Sequence, residues 1–423
     1  MLDIKFIRNN QELIQETARK KQLKFKVADL IAVDDSRREL LAAIEKRRAE
    51  QNAFNQELVK ISEPKKRQSA IAGMKTLKEA LQKDEEKLKE VMKSWQVLMI
   101  ETPNIPDISV PEGKDDSANM EVRTWGKQPK FSFVPKNHIE LMEKLDLVDF
   151  GAGAKVAGFR GYFLKNEAAI LSLALWQFVF DYFVNKKKFT PFLVPSLVKR
   201  ENLVGSGYLP QGEEDLYKTQ DGEYLAGTAE VGVMGYFMDT VIPKENLPLK
   251  IIAFSPCFRR EAGSYGKDTK GLFRVHEFYK MEQVIIGEAS HVESVKYHEE
   301  LTANAEEIMQ LLKIHYRVVI NCTGDLGLGQ VKKYDLEAWL PSENKYRETH
   351  SISYFHDFQT RRLNIRYKNT DGKVQFAHSL NGTALPTPRP LITLIENNQQ
   401  ADGSIVIPKV LQKYVGKETI TGK

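Results

Sequence analysis

Two apolar series divided by a proline constrain this chain more than any other feature. Val33, Leu40, Ile44, Phe54, Leu58 and Ile61 recur with a heptad-like rhythm, with polar residues at several seam positions between them; Met74, Leu77, Leu81, Leu88, Met92, Trp95 and Leu98 repeat it. Between the series, Ser62-Glu63-Pro64-Lys65-Lys66-Arg67 carries a proline that a continuous helix does not accept in its interior. The spacing predicts two long helices over about 29–100, folded back as an antiparallel coiled-coil hairpin. Its outer faces are rich in Arg37, Arg38, Lys46, Arg47, Arg48, Lys65, Lys66 and Arg67. Interspersed glutamates make a solvated surface the better account of these charges from residue content alone, with a phosphate-tracking arm as the other.

Thr102-Pro103-Asn104-Ile105-Pro106 and the acidic EGKDDS after it read as a linker. The expected organisation is a helical arm over 1–105, a linker over 106–134 and a mixed domain over 135–423. Within that domain, residues 166–185 carry a helical apolar period, and KKKFTPFLVPSLV starts as a strand reaching Pro195. Strand-like runs recur at 249–254, 278–286, 316–320, 351–355 and 363–367, and 391–396 is helical in pattern. Many short strands with few βαβ units predict an α+β fold around an antiparallel sheet. GAGAKVAG at 151–158 reads as a loop, being neither GxxxxGK(S/T) nor a GxGxxG after a clear strand.

A length of 423 residues allows two or three domains and a large core. The net charge of +5 permits a polyanionic partner without demanding one. Two cysteines, Cys257 and Cys322, make neither a disulfide framework nor a four-cysteine zinc site, so free thiols in a reducing compartment are expected. No signal peptide opens the chain, and no window reaches the roughly 18 to 20 apolar residues of a bilayer span, so a cytoplasmic protein with no membrane partner is expected. The histidines show no metal-ligand spacing, His276 alone meriting attention, and no GxSxG elbow marks a nucleophile.

The densest chemistry lies in CFRREAGSYGKDTKGLFRVHEFYKMEQV, residues 257–284. Arg259 and Glu261, two apart on a strand, would share a face; a guanidinium fork suits phosphorus oxyanions and a carboxylate accepts from an amino group. The basic, glycine-containing loop from 263 to 271 could close over a polyphosphate. The returning strand presents Phe278, Lys280 and Glu282 on one face, an aromatic for a base and an acid for an ammonium. An ion-paired hairpin on a sheet edge is the alternative.

FRREAGS, DTKGLFRVHEF and KMEQV resemble motif 2 of the class II aminoacyl-tRNA synthetases, in the wording of the seryl-tRNA synthetase family. The rest agrees in order: LVPSLV with Pro195 resembles motif 1, LAGTAE the Thr-Ala-Glu signature, YRETHSIS and DFQTRR the segment before motif 3, and SLNGTALPTPRPLITLIENNQ motif 3. MLDIKFIRNN and the basic hairpin resemble the family's N-terminal arm. The resemblance implies a six- or seven-stranded antiparallel sheet flanked by helices and preceded by the coiled coil. It also implies a homodimer built around motif 1, ATP and Mg2+ as cofactors, and L-serine and serine tRNA as substrates, with selenocysteine tRNA charged as well where the host has it. In the family the arm reaches across the dimer to grip the long variable arm of the tRNA, which turns the basic faces into phosphate contacts.

By the same resemblance the ATP-binding residues are Arg259, Arg260, Glu261, Arg274, Val275, Phe278, Glu348, Ser351 and Arg389. Arg259 would hold the α-phosphate and the serine carboxylate, Glu261 the adenine amino group, Phe278 and Arg389 the two faces of the ring, and Arg274 the γ-phosphate. Glu348 and Ser351 would hold magnesium, and Lys280 would assist. Serine would be bound by Thr228, Ala229, Glu230, Arg259, Glu282, Asn381 and Thr383, with Arg259, Arg389 and Glu282 as the catalytic set. Ile352 and Tyr354 depart from the family's Ser-Cys-Ser-Asn segment, after His350, and Pro386 and Pro388 stand where small, flexible residues are common. Two rivals remain: a relative that loads a carrier protein, which would lack the arm and use cysteine zinc ligands, and a catalytically silent RNA-binding scaffold.

Overall fold

The computed structural model describes residues 1–58, 60, 62–263, 266 and 268–422; Ile61 of the first apolar series lies outside them, as do three residues of the 263–271 loop. Contacts divide the chain into Met1–Pro103 and Asn104–Lys423.

The first unit has two short helices, Ile4–Asn9 and Gln11–Lys20, then α1 (Val27–Leu58) and α2 (Pro64–Glu101). Pro64 opens α2, where its missing N–H breaks no helical bond. The two helices run antiparallel, since Asp34 meets Trp95 while Arg47 and Arg48 meet Asp84 and Glu85. One layer of the seam is polar. Buried Asp34 accepts from Trp95 Nε1 at 3.0 Å and from Arg8 at 2.8 Å, and it pairs with Arg37, whose guanidinium lies 4.9 Å over the Trp95 ring. Arg37, Arg47 and Arg48 are therefore engaged within the hairpin, whereas Arg38, Lys46, Lys65 and Arg67 are exposed.

The second unit is built on one sheet. Its strands are β1 (Met120–Trp125), β2 (Thr190–Leu193), β3 (Leu249–Phe258), β4 (Glu277–Gly287), β5 (Tyr316–Ile320), β6 (Lys332–Leu340), β7 (Lys345–His356) and β8 (His378–Thr387). Their order is β1-β5-β6-β7-β8-β4-β3-β2. The seven strands from β1 to β3 pair antiparallel, and β2 adds an eighth, parallel to β3. The segment read as a linker thus supplies an edge strand, β1, paired with β5. The helices around the sheet include α3 (Phe150–Ala157), α4 (Asn166–Asp181), α5 (Ala229–Tyr236), α6 (His291–Leu311), α7 (Phe358–Arg362) and α8 (Arg389–Asn397).

Strand alternation gives the sheet two unlike faces. Met281 and Ile285 of β4, Leu336 and Ala338 of β6, Ile352 and Tyr354 of β7 and Leu380 of β8 enter one apolar core with Leu171 and Leu175 of α4 and Leu301 and Ile308 of α6. On the opposite face α5 covers only the β3–β4 side, where Val233 and Met234 pack on Ile251, Ala253, Val284 and Ile286. The middle of that face is left to polar side chains.

Three local readings are corrected. GAGAKVAG is not a loop but most of α3: the Asp149 carboxylate caps the helix by accepting from Ala152 N at 2.7 Å. Gly153 is required there, because a Cβ would stand 2.4 Å from Tyr162 Cα. Of 363–367 only the end is extended, in a short Arg366–Lys368 strand, because Asn364 turns the chain at φ +55°. By length and composition Asn166–Lys186 could cross a membrane, against expectation, and half of its apolar window is buried inside the fold.

His298 of α6 stacks on Tyr334 at 4.7 Å and lies 3.0 Å, through Nε2, from the Ile352 carbonyl. Burial drives its pKa down to about 3, against the pull of that hydrogen bond. Below the ordinary histidine range the unfolded chain takes up a proton that the native one refuses, so stability is lost as pH falls from about 6.5 toward 3. Between about pH 6 and 5, His298→Phe should flatten the decline in unfolding free energy by roughly 1 kcal/mol per pH unit, measured by chemical denaturation at each pH. Equal slopes would show that His298 is protonated in the native state.

Candidate functional site

The polar face is assembled by register. Glu282 of β4 lies opposite Thr383 of β8, Asn381 opposite Ser353 of β7, and Ser351 and Ser353 opposite Asp335 and Lys333 of β6. Phe278, Lys280 and Glu282 alternate onto this face, as the sequence predicts. Lys280 Nζ sits 2.5 Å from Glu282 Oε2, an ion pair between two buried side chains that is not aligned as a hydrogen bond.

Glu348 and Ser351 are three apart and on a straight strand would face opposite ways. The register slips between Leu336–His350 and Glu337–Glu348, leaving Thr349 as an extra residue. This bulge brings Glu348 onto the face of Ser351. Arg389, at the start of α8, donates to the Glu348 carbonyl at 3.1 Å and stands 3.4 Å from its carboxylate. Desolvation opposes ionisation of Glu348, but the charges of Arg389, Lys333 and Arg259 prevail and hold its pKa below the usual range. Among the described residues no three His, Cys, Asp or Glu side chains enclose a metal position. Glu348 with Ser351 is instead an open, oxygen-only pair, a donor set magnesium takes together with phosphate oxygens.

Regular strand geometry ends at Phe258, and Glu261 has φ +55°, so Arg259 and Glu261 do not share a strand face as expected. Arg259 is held separately. Its backbone N–H donates to the His276 carbonyl at 2.9 Å, its guanidinium lies 5.3 Å over the Phe278 ring, and Nη2 reaches the Gly227 carbonyl at 3.4 Å. His276 is structural here, its Nδ1 being 3.0 Å from the Arg259 carbonyl. Glu261 pairs with Arg274 at 2.8 Å, Arg274 also with Asp268 at 3.2 Å, and Asp268 with Arg347 at 2.6 Å. The loop is thus charge-paired, yet β3 and β4 are interior strands rather than an edge hairpin. Arg260 is exposed and donates to the Glu214 carbonyl at 3.1 Å, while the Val275 side chain belongs to the core, leaving only its backbone for a ligand.

Thr228 caps α5 and receives the Glu230 N–H at 3.3 Å, which fixes Thr228, Ala229 and Glu230 at a helix start. Glu230 is buried; Tyr208 donates to Oε2 at 2.9 Å and Gln359 to Oε1 at 2.5 Å. Burial pushes the Glu230 pKa up to about 7, with Glu282 adding to the rise and Gln359 and Tyr208 opposing it. Asp335 is likewise raised by burial, to about 6, against Lys333. Lys333, Asp335, Tyr208, Arg347 and Gln359 escaped the sequence reading. DFQTRR was the one signal for Gln359, and the polar alternation of KKYDLE the one for Lys333 and Asp335.

A face with buried acids beside guanidinium groups can hold an ammonium and a phosphate together, and known proteins share its frame. Residues 217–398 match the tRNA synthetase class II core domain (G, H, P, S and T), and residues 1–106 the seryl-tRNA synthetase N-terminal domain. The serine–tRNA ligase of Deinococcus radiodurans is 43% identical over 100% of this chain and 99% of its own length. The crystal structure of seryl-tRNA synthetase from Pyrococcus horikoshii complexed with ATP superposes with a TM-score of 0.93 at 39% identity, covering 100% of both chains. That of cytoplasmic serine–tRNA ligase from Naegleria fowleri in complex with AMP gives 0.88 at 31%, covering 100% of this chain and 99% of the other.

Lys280→Met strips the buried Glu282 carboxylate of its counter-ion and should cost about 3 kcal/mol of unfolding free energy. Adding Glu282→Gln should recover most of that loss; a double variant no more stable than the single would mean the two groups are not coupled.

Proposed function

The chain belongs to the seryl-tRNA synthetase family, and from that membership we propose how its polar face carries out the family's reaction. The protein activates L-serine with ATP and transfers the seryl group to serine tRNA. In the first step the serine carboxylate attacks the α-phosphorus of ATP and pyrophosphate leaves, giving seryl-adenylate. In the second, a ribose hydroxyl of the terminal adenosine attacks the seryl carbonyl and AMP leaves. No protein nucleophile is needed, so the site acts by aligning reactants and stabilising charge on phosphoryl oxygens.

Arg259 is assigned the α-phosphate and the serine carboxylate, and Phe278 and Arg389 the adenine ring. Glu261 takes the adenine amino group and Arg274 the γ-phosphate, each on release from the pair they form with one another; Arg260 and the Val275 backbone complete the nucleotide contacts. Thr228, Ala229, Glu230 and Glu282 receive the serine ammonium and hydroxyl, with Asn381 and Thr383 closing around the side chain. Glu348 and Ser351 would hold magnesium, which when bound neutralises charge on the phosphate oxygens. The observation that carries the reading is the meeting of the paired Glu282, the twice-bonded Glu230 and the stacked Arg259 around one uncovered face.

The helical hairpin is the tRNA-binding part, and residues 106–134 lead on to the catalytic part over 135–423 and lend its sheet the edge strand β1; the arm match over 1–106 speaks against a carrier-protein enzyme. The retained acids and arginines speak against a silent scaffold. A homodimer around the motif 1 segment is supported by exposed apolar side chains, Leu193 (81% exposed) within it and Tyr236 (68%) at the end of α5, whose ring lies 5.2 Å from that of Phe192. The cytoplasm is the proposed location, and selenocysteine tRNA a second substrate.

ATP–pyrophosphate exchange measured with each amino acid in turn should respond to serine. Arg259→Ala should lower it by roughly 100- to 1000-fold without shifting the unfolding midpoint. Exchange absent with every amino acid would return the silent scaffold to first place. In the arm, Arg38→Glu with Lys46→Glu should leave exchange unchanged, raise KM for serine tRNA and make charging less sensitive to salt. Reversal of these charges without effect on charging would assign the arm's basic faces to solvent.

A further inference from the structure

Glu230 poses a question that its place in the serine set does not answer. A carboxylate this deeply buried gains nothing as packing over a neutral side chain of the same size, and its two oxygens already have donors. One of these, Gln359, comes from α7, outside the residues to which the resemblance gives a role. Its amide is fixed from both ends. The Gln359 oxygen accepts from Ser379 Oγ at 2.7 Å, so Nε2 must turn to Glu230, at 2.5 Å, and to the Ser206 carbonyl, at 3.0 Å. Every one of these side chains is buried. Ser379, Gln359, Glu230 and Tyr208 thus form one hydrogen-bonded row that sets the rotamer of the carboxylate and leaves its remaining lone pairs for a ligand.

We propose that Gln359, oriented by Ser379, is a positioning residue for amino-acid recognition, holding Glu230 in place as an ionised acceptor for serine. This rests on the reading of Glu230 as part of the serine site. The charges facing Glu230 agree with a need for such a donor. Glu282 of β4 and burial disfavour its ionised form, Lys280 of β4 favours it, and Tyr208, itself near Arg259, donates from the other side. The Gln359 amide counts among the groups that keep the carboxyl ionised near neutral pH. Loss of that donor raises the Glu230 pKa, and the acid limb of kcat/KM for serine, which reports the free enzyme, moves to higher pH.

The test is serine-dependent pyrophosphate exchange by the full-length protein, followed across pH, for the wild type, Gln359→Met and Ser379→Ala. Gln359→Met should raise the serine KM by roughly 10- to 100-fold, leave the ATP KM unchanged and shift the acid limb upward. Ser379→Ala should do the same to a smaller extent, and decides the matter if Gln359→Met does not fold. Equal rises in both KM values, an unchanged serine KM, or an acid limb that stays in place would each overturn the proposal. Absence of serine-dependent exchange in the wild type would instead overturn the reading of the site itself.

Discussion

The site depends on a sheet whose two faces have opposite solvation. One face is sealed by α4 and α6 over an apolar core, and this lets the other carry charge in the middle of the domain. Burying acids is costly, and each buried one here is answered locally: Glu282 by Lys280, Glu230 by Tyr208 and Gln359, Asp335 by Asn321 and Lys333, while the exposed Glu348 faces Arg389. The strands hold these groups at fixed spacing before any ligand arrives, so little reorganisation remains for the reaction. Stability and function therefore draw on the same pairs.

The loop between β3 and β4 is secured at its base by a separate buried pair. Glu396 of α8 accepts the His138 backbone N–H at 2.8 Å and lies 3.0 Å from its Nδ1. The far ring nitrogen, Nε2, accepts from Leu272 N at 3.3 Å, so the ring is held from both ends. Gly271, at φ +79°, passes so near that a Cβ would meet this nitrogen at 2.4 Å. Phe273 then stands between the His138 edge and the Arg347 guanidinium, 4.1 Å over its ring, while its carbonyl receives Arg389 Nε at 3.3 Å. Further out, Arg274 is satisfied by Glu261 and Asp268. A polyphosphate would offer the same guanidinium stronger bidentate partners, so the outer loop can exchange partners while the base stays put.

How much of this the sequence discloses depends on the range of the interaction. The runs at 249–254, 278–286 and 316–320 show in apolar alternation, the first of them extended to Phe258 only by the structure, and the hairpin shows in its heptads and Pro64. Lys280 and Glu282 follow from alternation alone. The bulge at Thr349 does not, because nothing local marks a one-residue slip that exists only in pairing with β6. The positive φ of Glu261 is hidden for the same reason: the residue turns where Arg260 N and Ala262 N bond to Asp215, far away in sequence. Asp149 as the cap of α3 was available locally but was masked by three glycines in eight residues, a composition that favours a loop. The roles of Glu348, Ser351 and Arg389 came only from resemblance, since they converge through the bulge and α8.

The departures from the family pattern can now be placed. Ile352 and Tyr354 alternate onto the sealed face, inside the apolar core, and the Tyr354 hydroxyl donates away from the site to Asp107 at 2.7 Å. They change what lies behind the floor of the site and not the floor itself, to which Ser351 and Ser353 belong. His350 is buried and held neutral, its pKa lowered by desolvation to about 4, so it adds no charge beside Glu348 near neutral pH. Pro386 lies opposite Lys280 in the ladder, beyond Thr383 and the register slip that follows it. Asn381 and Thr383 remain on regular strand backbone, and a wall made of strand residues cannot yield to one extra methyl as a loop could. On the proposed assignment, a pocket bounded in this way would reject alanine through unpaired polar groups and threonine through shape, the two opposite demands that recognition of serine imposes.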